Sequence, residues 1–192
     1  MSKLMWKPGT MLYPVPAVMV SCQSIEGIKN IVTIAWTGII CSDPAMLYIS
    51  VRPERHSYNI IKETREFVVN MPNRKLAFAT DFCGVKSGRD IDKFEHLKLT
   101  PGKSNLVTAP YIDECPISLE CKVKDIIRLG THDMFISEIL CVNVDESLLD
   151  NKGKLNLNKA ELICYTHGEY NSLGDSLGHF GYSVRKKDTK KG

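Results

Sequence analysis

Short apolar runs of four to seven residues, separated by polar or Gly/Pro breaks, recur along this chain, and most of them read with the two-residue period of a strand. Residues 17–22 form one such run, a turn follows at Glu26 and Gly27, and residues 30–36 form a second run rich in β-branched side chains. Ser42-Asp43-Pro44 breaks the chain, and residues 46–51 make a third strand. Residues 67–70 read as a strand stopped by Pro72. Residues 117–123 alternate apolar and polar positions, the mark of a half-exposed strand. That strand continues to 127, and Leu129-Gly130-Thr131 joins it to a partner over 132–144 as a hairpin. Helical spacing is weaker. Pro53-Glu54 signals a helix start, with Tyr58 and Ile61 on one face and an end near Thr64. Residues 76–79 suggest a second short helix, and 83–95 a Gly-, Lys- and Asp-rich loop with at most a short helix. Many strands and few helices, too short for crossovers, predict an α+β, mainly β fold: a β-barrel with peripheral helices rather than a doubly wound parallel sheet.

The 192 residues, 43% hydrophobic, suit one domain over 1–184. The net charge of +3 is concentrated: the tail from residue 185 carries five positive charges and one negative, so the body sums to −1. The tail reads as a solvated, disordered end, and the body offers no electrostatic case for nucleic acid. No apolar run approaches the roughly 20 residues of a membrane helix. Prolines and a glycine between 8 and 16 interrupt the N-terminus, which argues against a secretory signal and for a cytoplasmic protein. The seven cysteines are odd in number and lack CxxC spacing, so neither a disulfide framework nor a zinc ribbon is expected.

The familiar catalytic signatures fail. Gly102-Lys103-Ser104 resembles the end of a phosphate loop, but Leu97 stands where that motif needs glycine. No GxGxxG, HExxH or GxSxG occurs, and the five histidines have no metal-ligand spacing, so no metal is expected. Chemistry carried by an organic cofactor is the reading left.

Four segments hold residues for such a role. In residues 30–38, Asn30, Thr33 and Trp36 punctuate an apolar strand and can meet a heteroaromatic ring, although an ordinary strand with its polar face in water has the same spacing. Residues 50–57 run from a strand end into a helix start, where Ser50, Arg52 and Ser57 beside free N–H groups make a monophosphate site or a capped helix with a solvated arginine. Residues 81–94 combine Gly84 and Gly88 with Lys86, Arg89 and Lys93, which suits a ligand-covering loop or a polar surface loop. His167-Gly168, flanked by Tyr165 and Tyr170, suits a loop over a planar ligand or a solvated turn.

In this order the segments, with residues 41–44, 67–70 and 114–116, resemble the flavin reductase-like family of FMN-binding split barrels, and its flavoredoxin branch in particular, over roughly residues 10–184. The resemblance implies a six-stranded Greek-key barrel, a homodimer, and FMN bound without a covalent link near the dimer interface. It implies that Asn30, Thr33, Ala35 and Trp36 line the isoalloxazine, that Ser50, Arg52 and Ser57 hold the phosphate with help from Lys86 and Ser87, and that Cys83 lies close to the flavin. Cys83 and His167 are the candidate catalytic residues, Cys83 as a thiol beside the ring or a packing residue, and His167 where a nicotinamide or redox partner docks. Three functions are compatible: an NADH- or NADPH-dependent flavin reductase, a flavoredoxin-like carrier fed by another redox protein, and a flavin-binding module without turnover.

Overall fold

The computed structural model describes residues 1–185, so the basic tail beyond Arg185 lies outside the described residues. The chain runs β1 (Val15–Pro16), β2 (Val18–Gln23), β3 (Lys29–Ile34), β4 (Thr37–Ser42), β5 (Ala45–Val51), α1 (His56–Thr64), β6 (Glu66–Met71), α2 (Ala77–Val85), α3 (Lys93–Leu97), β7 (Pro101–Gly102), β8 (Tyr111–Ile112), β9 (Ile117–Arg128), β10 (Asp133–Val144), β11 (Ile163–Thr166) and β12 (Glu169–Ser172). Seven strands form one antiparallel sheet in the order β3-β2-β6-β9-β10-β5-β4, while β1, β11 and β12 form a smaller one. This is a mainly β split-barrel fold.

The two-residue period decides what the sheet encloses. Val18, Val20 and Cys22 of β2, Val32 and Ile34 of β3, Leu47, Ile49 and Val51 of β5, and Phe67 and Val69 of β6 share one core with Cys121, Val123 and Phe135. Helix α1 adds Tyr58, Ile60 and Ile61 to that core. The opposite face of β2 and β3 is also covered, because Met19 and Ile31 pack with Ala79 and Cys83 of α2 and Phe94 of α3. Strand β3 is therefore buried on both faces along much of its length, which fixes its register against α2. Gly84 permits the close fit: a Cβ there would stand 3.2 Å from the Thr33 Cβ.

Three expectations change. The main sheet has seven strands rather than six, because residues 37–42 form β4, paired with β5 from Thr37↔Ile49 to Ser42↔Ala45. Asp43-Pro44 is the turn of that hairpin rather than a break between elements. Strand β4 lacks a clean alternation because Ile39 and Ile40 are both exposed and its pairing shifts between Ile39 and Cys41. Helix α1 starts at His56, with Arg55 as N-cap, because residues 52–55 close a turn in which the Arg55 N–H donates to the Arg52 carbonyl at 3.0 Å. Residues 83–85, expected as the start of a loop, are the end of α2. Among the described residues, no helix is long and apolar enough to cross a membrane.

Candidate functional site

A groove follows β3 from Asn30 and continues past its end to Trp36, and its two ends differ in chemistry. The first end is a cavity of about 300 Å³ between the start of α1 and the loop after α2. Arg52, Arg55, His56, Ser57, Lys86, Ser87, Arg89 and Lys93 line it, with Glu54 as the sole carboxylate of its walls among the described residues. No side chain caps α1; the Tyr58 N–H turns back to the Arg55 carbonyl at 3.0 Å, while the His56 and Ser57 N–H groups make no hydrogen bond among the described residues at the mouth of this cavity. The donor set is that of a site for a phosphate: a free helix N-terminus, guanidinium and ammonium groups, and hydroxyls.

Hydrogen bonds hold this end in place. The Asn30 amide donates to the Ser57 hydroxyl at 2.8 Å, and both residues are buried. The Arg55 guanidinium donates to the Gly84 carbonyl at 2.8 Å, tying the helix start to α2. Arg89 donates to the Glu54 carbonyl at 3.2 Å, drawing the loop over the cavity. Gly88 sits directly on Asn30, where a Cβ would fall 2.0 Å from the Asn30 Oδ1, so no larger residue fits without moving that amide. Lys93 is buried, and its ammonium donates to the carbonyls of Ile31 at 2.6 Å and Cys83 at 2.8 Å. Burial pushes the Lys93 pKa down, with the Cys83 thiol opposing. Burial also holds the His56 pKa below its ordinary value, reinforced by Arg89 and Lys93.

The second end is aromatic. Val32, Thr33, Ala35 and Trp36 line the adjoining cavities of about 140 and 280 Å³, which share Arg55 with the first. Tyr13 joins the rings there: its centroid lies 6.2 Å from that of Trp36, 6.0 Å from Tyr165 and 5.7 Å from His167. Tyr165 and Tyr170 meet at 5.6 Å across the β11–β12 hairpin. Burial, then the Asp81 carboxylate, pushes the Tyr170 pKa up to about 12. Gly168, at a φ of 91°, makes the tight turn that joins those strands.

The expected residues divide between these ends. Arg52, Ser57, Lys86, Ser87 and Cys83 share the cationic cavity, and Asn30 lies with them rather than with Ala35 and Trp36. Thr33, Ala35 and Trp36 follow along β3, where the Thr33 hydroxyl donates to the Thr80 carbonyl. Ser50 is separated from Arg52: it lines another cavity, with Trp36, His132 and Met134, because it lies within β5 opposite Met134, whereas Arg52 follows the strand's end at Val51 and enters the 52–55 turn. His167 is exposed at the hairpin turn, stacked edge-on to Tyr13, and lines none of these cavities. Cys83 is fully buried, and burial pushes its thiol up to about 11. Arg55 and His132 carried no assignment from sequence, and Lys93 was read only as loop charge. Their signal is tertiary, since the Lys93 bond to Ile31 spans 62 residues.

The flavin reductase like domain family matches residues 10–174. The chain belongs to that family. Among solved structures it is similar to flavoredoxin of Desulfovibrio vulgaris (Miyazaki F), with 33% identity and a TM-score of 0.89 over 96% of this chain and 100% of that one. It is also similar to flavoredoxin from Methanosarcina acetivorans, with 28% identity and a TM-score of 0.85 over 96% and 100% of the two chains. An uncharacterized protein of Archaeoglobus fulgidus is 32% identical over 147 residues, 76% of this chain and 81% of that protein. These matches place the chain on the flavoredoxin branch of a family whose chemistry is flavin-based oxidoreduction.

Proposed function

We propose that this protein binds one FMN without a covalent link and moves electrons through it. The observation that carries the reading is the cationic cavity at the uncapped start of α1, continuous along β3 with an aromatic-walled cleft. Arg55, Lys86 and the α1 N–H groups hold the phosphate, while Trp36 and Tyr165 stand beside the ring. The bound flavin supplies the hydride and electron chemistry. Asn30, Ser57 and Gly88 keep the phosphate end rigid, and Lys93 places a fixed positive charge against it.

The donor is a reduced nicotinamide, NADH or NADPH, meeting the ring on the exposed side near His167. The likeness to the two flavoredoxins favours a second reading, a carrier that keeps its FMN and draws on a redox protein. The protein acts as a homodimer, which the exposed Ile39 and Ile40 on edge strand β4 support. An absorbance spectrum of the purified protein should show bound oxidised flavin, and anaerobic addition of NADH and then NADPH should bleach it. Tight FMN with no bleaching by either nucleotide selects the carrier, whereas protein that neither retains nor takes up FMN defeats both readings.

A further inference from the structure

Beyond Trp36 lies another cavity, of about 410 Å³, between the segment before β1 and strands β4, β5 and β10. Met11, Leu12, Val15 and Met134 make its walls largely apolar. Among the described residues, no Asp, Glu, Lys or Arg lines it. His132, its one titratable histidine, is held below its ordinary pKa by burial and then by the nearby Arg52, so it is neutral near pH 7. Two features make the space a site. It shares Ala35, Trp36 and His132 with the groove along β3, so a ligand here is adjacent to the ring end of that groove. Tyr48 and Ser50 also line it, and the hydroxyl of neither makes a hydrogen bond among the described residues, whereas Thr37 spends its hydroxyl on the Tyr48 carbonyl at 2.6 Å.

We propose that this cavity is a second binding site, for a neutral, flat, quinone-type electron acceptor. The absence of charge in the walls decides the class. A dinucleotide brings two or more phosphate charges that nothing here pairs, and burying them uncompensated is costly. A bicyclic quinone brings none, matches the size of a small-molecule pocket, and presents carbonyl oxygens to the free Tyr48 and Ser50 hydroxyls. Met11 and Met134 give adaptable walls that tolerate different ring substituents. The quinone takes two electrons and two hydrogens from the reduced flavin, its two C=O groups becoming C–OH as the flavin returns to the oxidised form. This rests on the flavin reading above, but binding at the cavity is measurable without it.

The test titrates the full chain with menadione, 2-methyl-1,4-naphthoquinone, by calorimetry, both FMN-loaded and flavin-free. One menadione per chain is expected in either form. Leu12→Arg, on a residue 87% exposed, and Met134→Arg should each weaken menadione binding by about tenfold or more while FMN affinity, read by flavin fluorescence, stays within about twofold. Substituting 2-methylnaphthalene, which lacks both carbonyls, should weaken binding by a similar factor. Anaerobic reoxidation of the reduced protein should saturate with menadione in the parent and rise linearly in the variants. Menadione affinity unchanged in both variants overturns the proposal, as does one-for-one competition between menadione and FMN for flavin-free protein. So does a parent that binds no menadione while Leu12→Arg converts dimers to monomers, because the cavity is then an interface between copies. Loss of FMN binding with menadione binding intact overturns the flavin reading alone.

Discussion

At one end of the groove, five cationic side chains surround the uncapped first turn of α1; at the other, Tyr13, Trp36, Tyr165, Tyr170 and His167 lean on one another as rings. The cationic end is tied down by bonds from Asn30, Arg55, Arg89 and Lys93 to the backbone or buried hydroxyls around it. At the aromatic end the rings meet one another chiefly through ring contacts, part of them on an exposed hairpin turn, although the Thr33 hydroxyl and the β11–β12 ladder also bond there. Fixed donors in a partly desolvated cavity recognise one charged group in one place. Ring contacts are tolerant of what stacks on them and leave one side open. On the proposed function, the first end sets which flavin is held, and the second sets what exchanges electrons with it.

Separating the phosphate from the ring tests this division most sharply. Arg55→Ala should cost FMN about 1.5–3 kcal/mol, the range for hydrogen bonds to a charged group, and leave riboflavin affinity almost unchanged. Arg52→Ala should cost less than 1 kcal/mol or so, because Arg52 is about half exposed and already faces Glu54 at 3.4 Å. Fluorescence titrations with both ligands read the difference. Equal losses for FMN and riboflavin in Arg55→Ala would break the comparison.

The aromatic end should behave in the opposite way. Trp36→Ala should weaken FMN and riboflavin equally, by about 1 kcal/mol, the scale of an aromatic contact beyond its buried area. A loss confined to FMN would mean that Trp36 acts on the phosphate and that the two ends are not separable.

How far these ends could be read in the sequence follows from the range of the interactions. Thr33 and Trp36 stand out in the sequence as a hydroxyl and an indole within an otherwise apolar run, although burial of β3 on both faces erases its two-residue period. The cationic cavity is legible in the sequence as the segment 50–57, and the fold adds Arg55 to the expected Arg52 and Ser57. Pro53 looked like the first helical position, yet residues 52–55 close a turn that delays the helix to His56 and brings Arg55, not Arg52, to its head. Ser50 and Arg52 stand two residues apart in sequence, but Ser50 belongs to β5 and pairs with Met134, whereas Arg52 leaves the strand into the 52–55 turn. Lys93 and His132 were beyond reach, since their placement depends on pairings between segments far apart in the chain. Strand β4 was missed for a local reason: its two exposed isoleucines erase the alternation that betrays a strand.

A pH series probes the same contrast with a smaller effect. His56 and His132 have folded pKa values below the ordinary 6.5, mainly through burial. As pH falls through 6.5 the unfolded chain takes up these protons first. Stability is therefore full above that value and declines towards the lower folded pKa values. A phosphate at the cationic cavity offers a protonated His56 an anionic partner and raises its folded pKa. Melting temperatures at about pH 7.5 and 5.5 should fall less with FMN than with riboflavin. An identical fall with either ligand would place the phosphate away from His56.

The smallest expected effect belongs to Cys83, which touches the cationic cavity yet takes no part in its charge chemistry. Its side chain packs with Met19, Ile31 and Phe94 and is fully buried. With the thiol pushed up to about 11, chiefly by burial and despite the pull of Lys93, only about three in ten thousand are ionised near pH 7.5. A redox-active thiol needs the thiolate and a path to it, and neither is provided. What Cys83 contributes is its backbone, since its carbonyl accepts the Lys93 ammonium at 2.8 Å and does so for any residue at that position. Cys83→Ala should therefore lower stability by about 1–2 kcal/mol through lost packing and leave the rate of flavin reduction unchanged. In the parent, iodoacetamide near pH 7.5 should label Cys41 and Cys164, which are partly exposed, and spare Cys83 in a mass-spectrometric map. Prompt labelling of Cys83, or a tenfold slower flavin reduction in a fully folded Cys83→Ala protein, would return that thiol to the chemistry and move the boundary between the two ends.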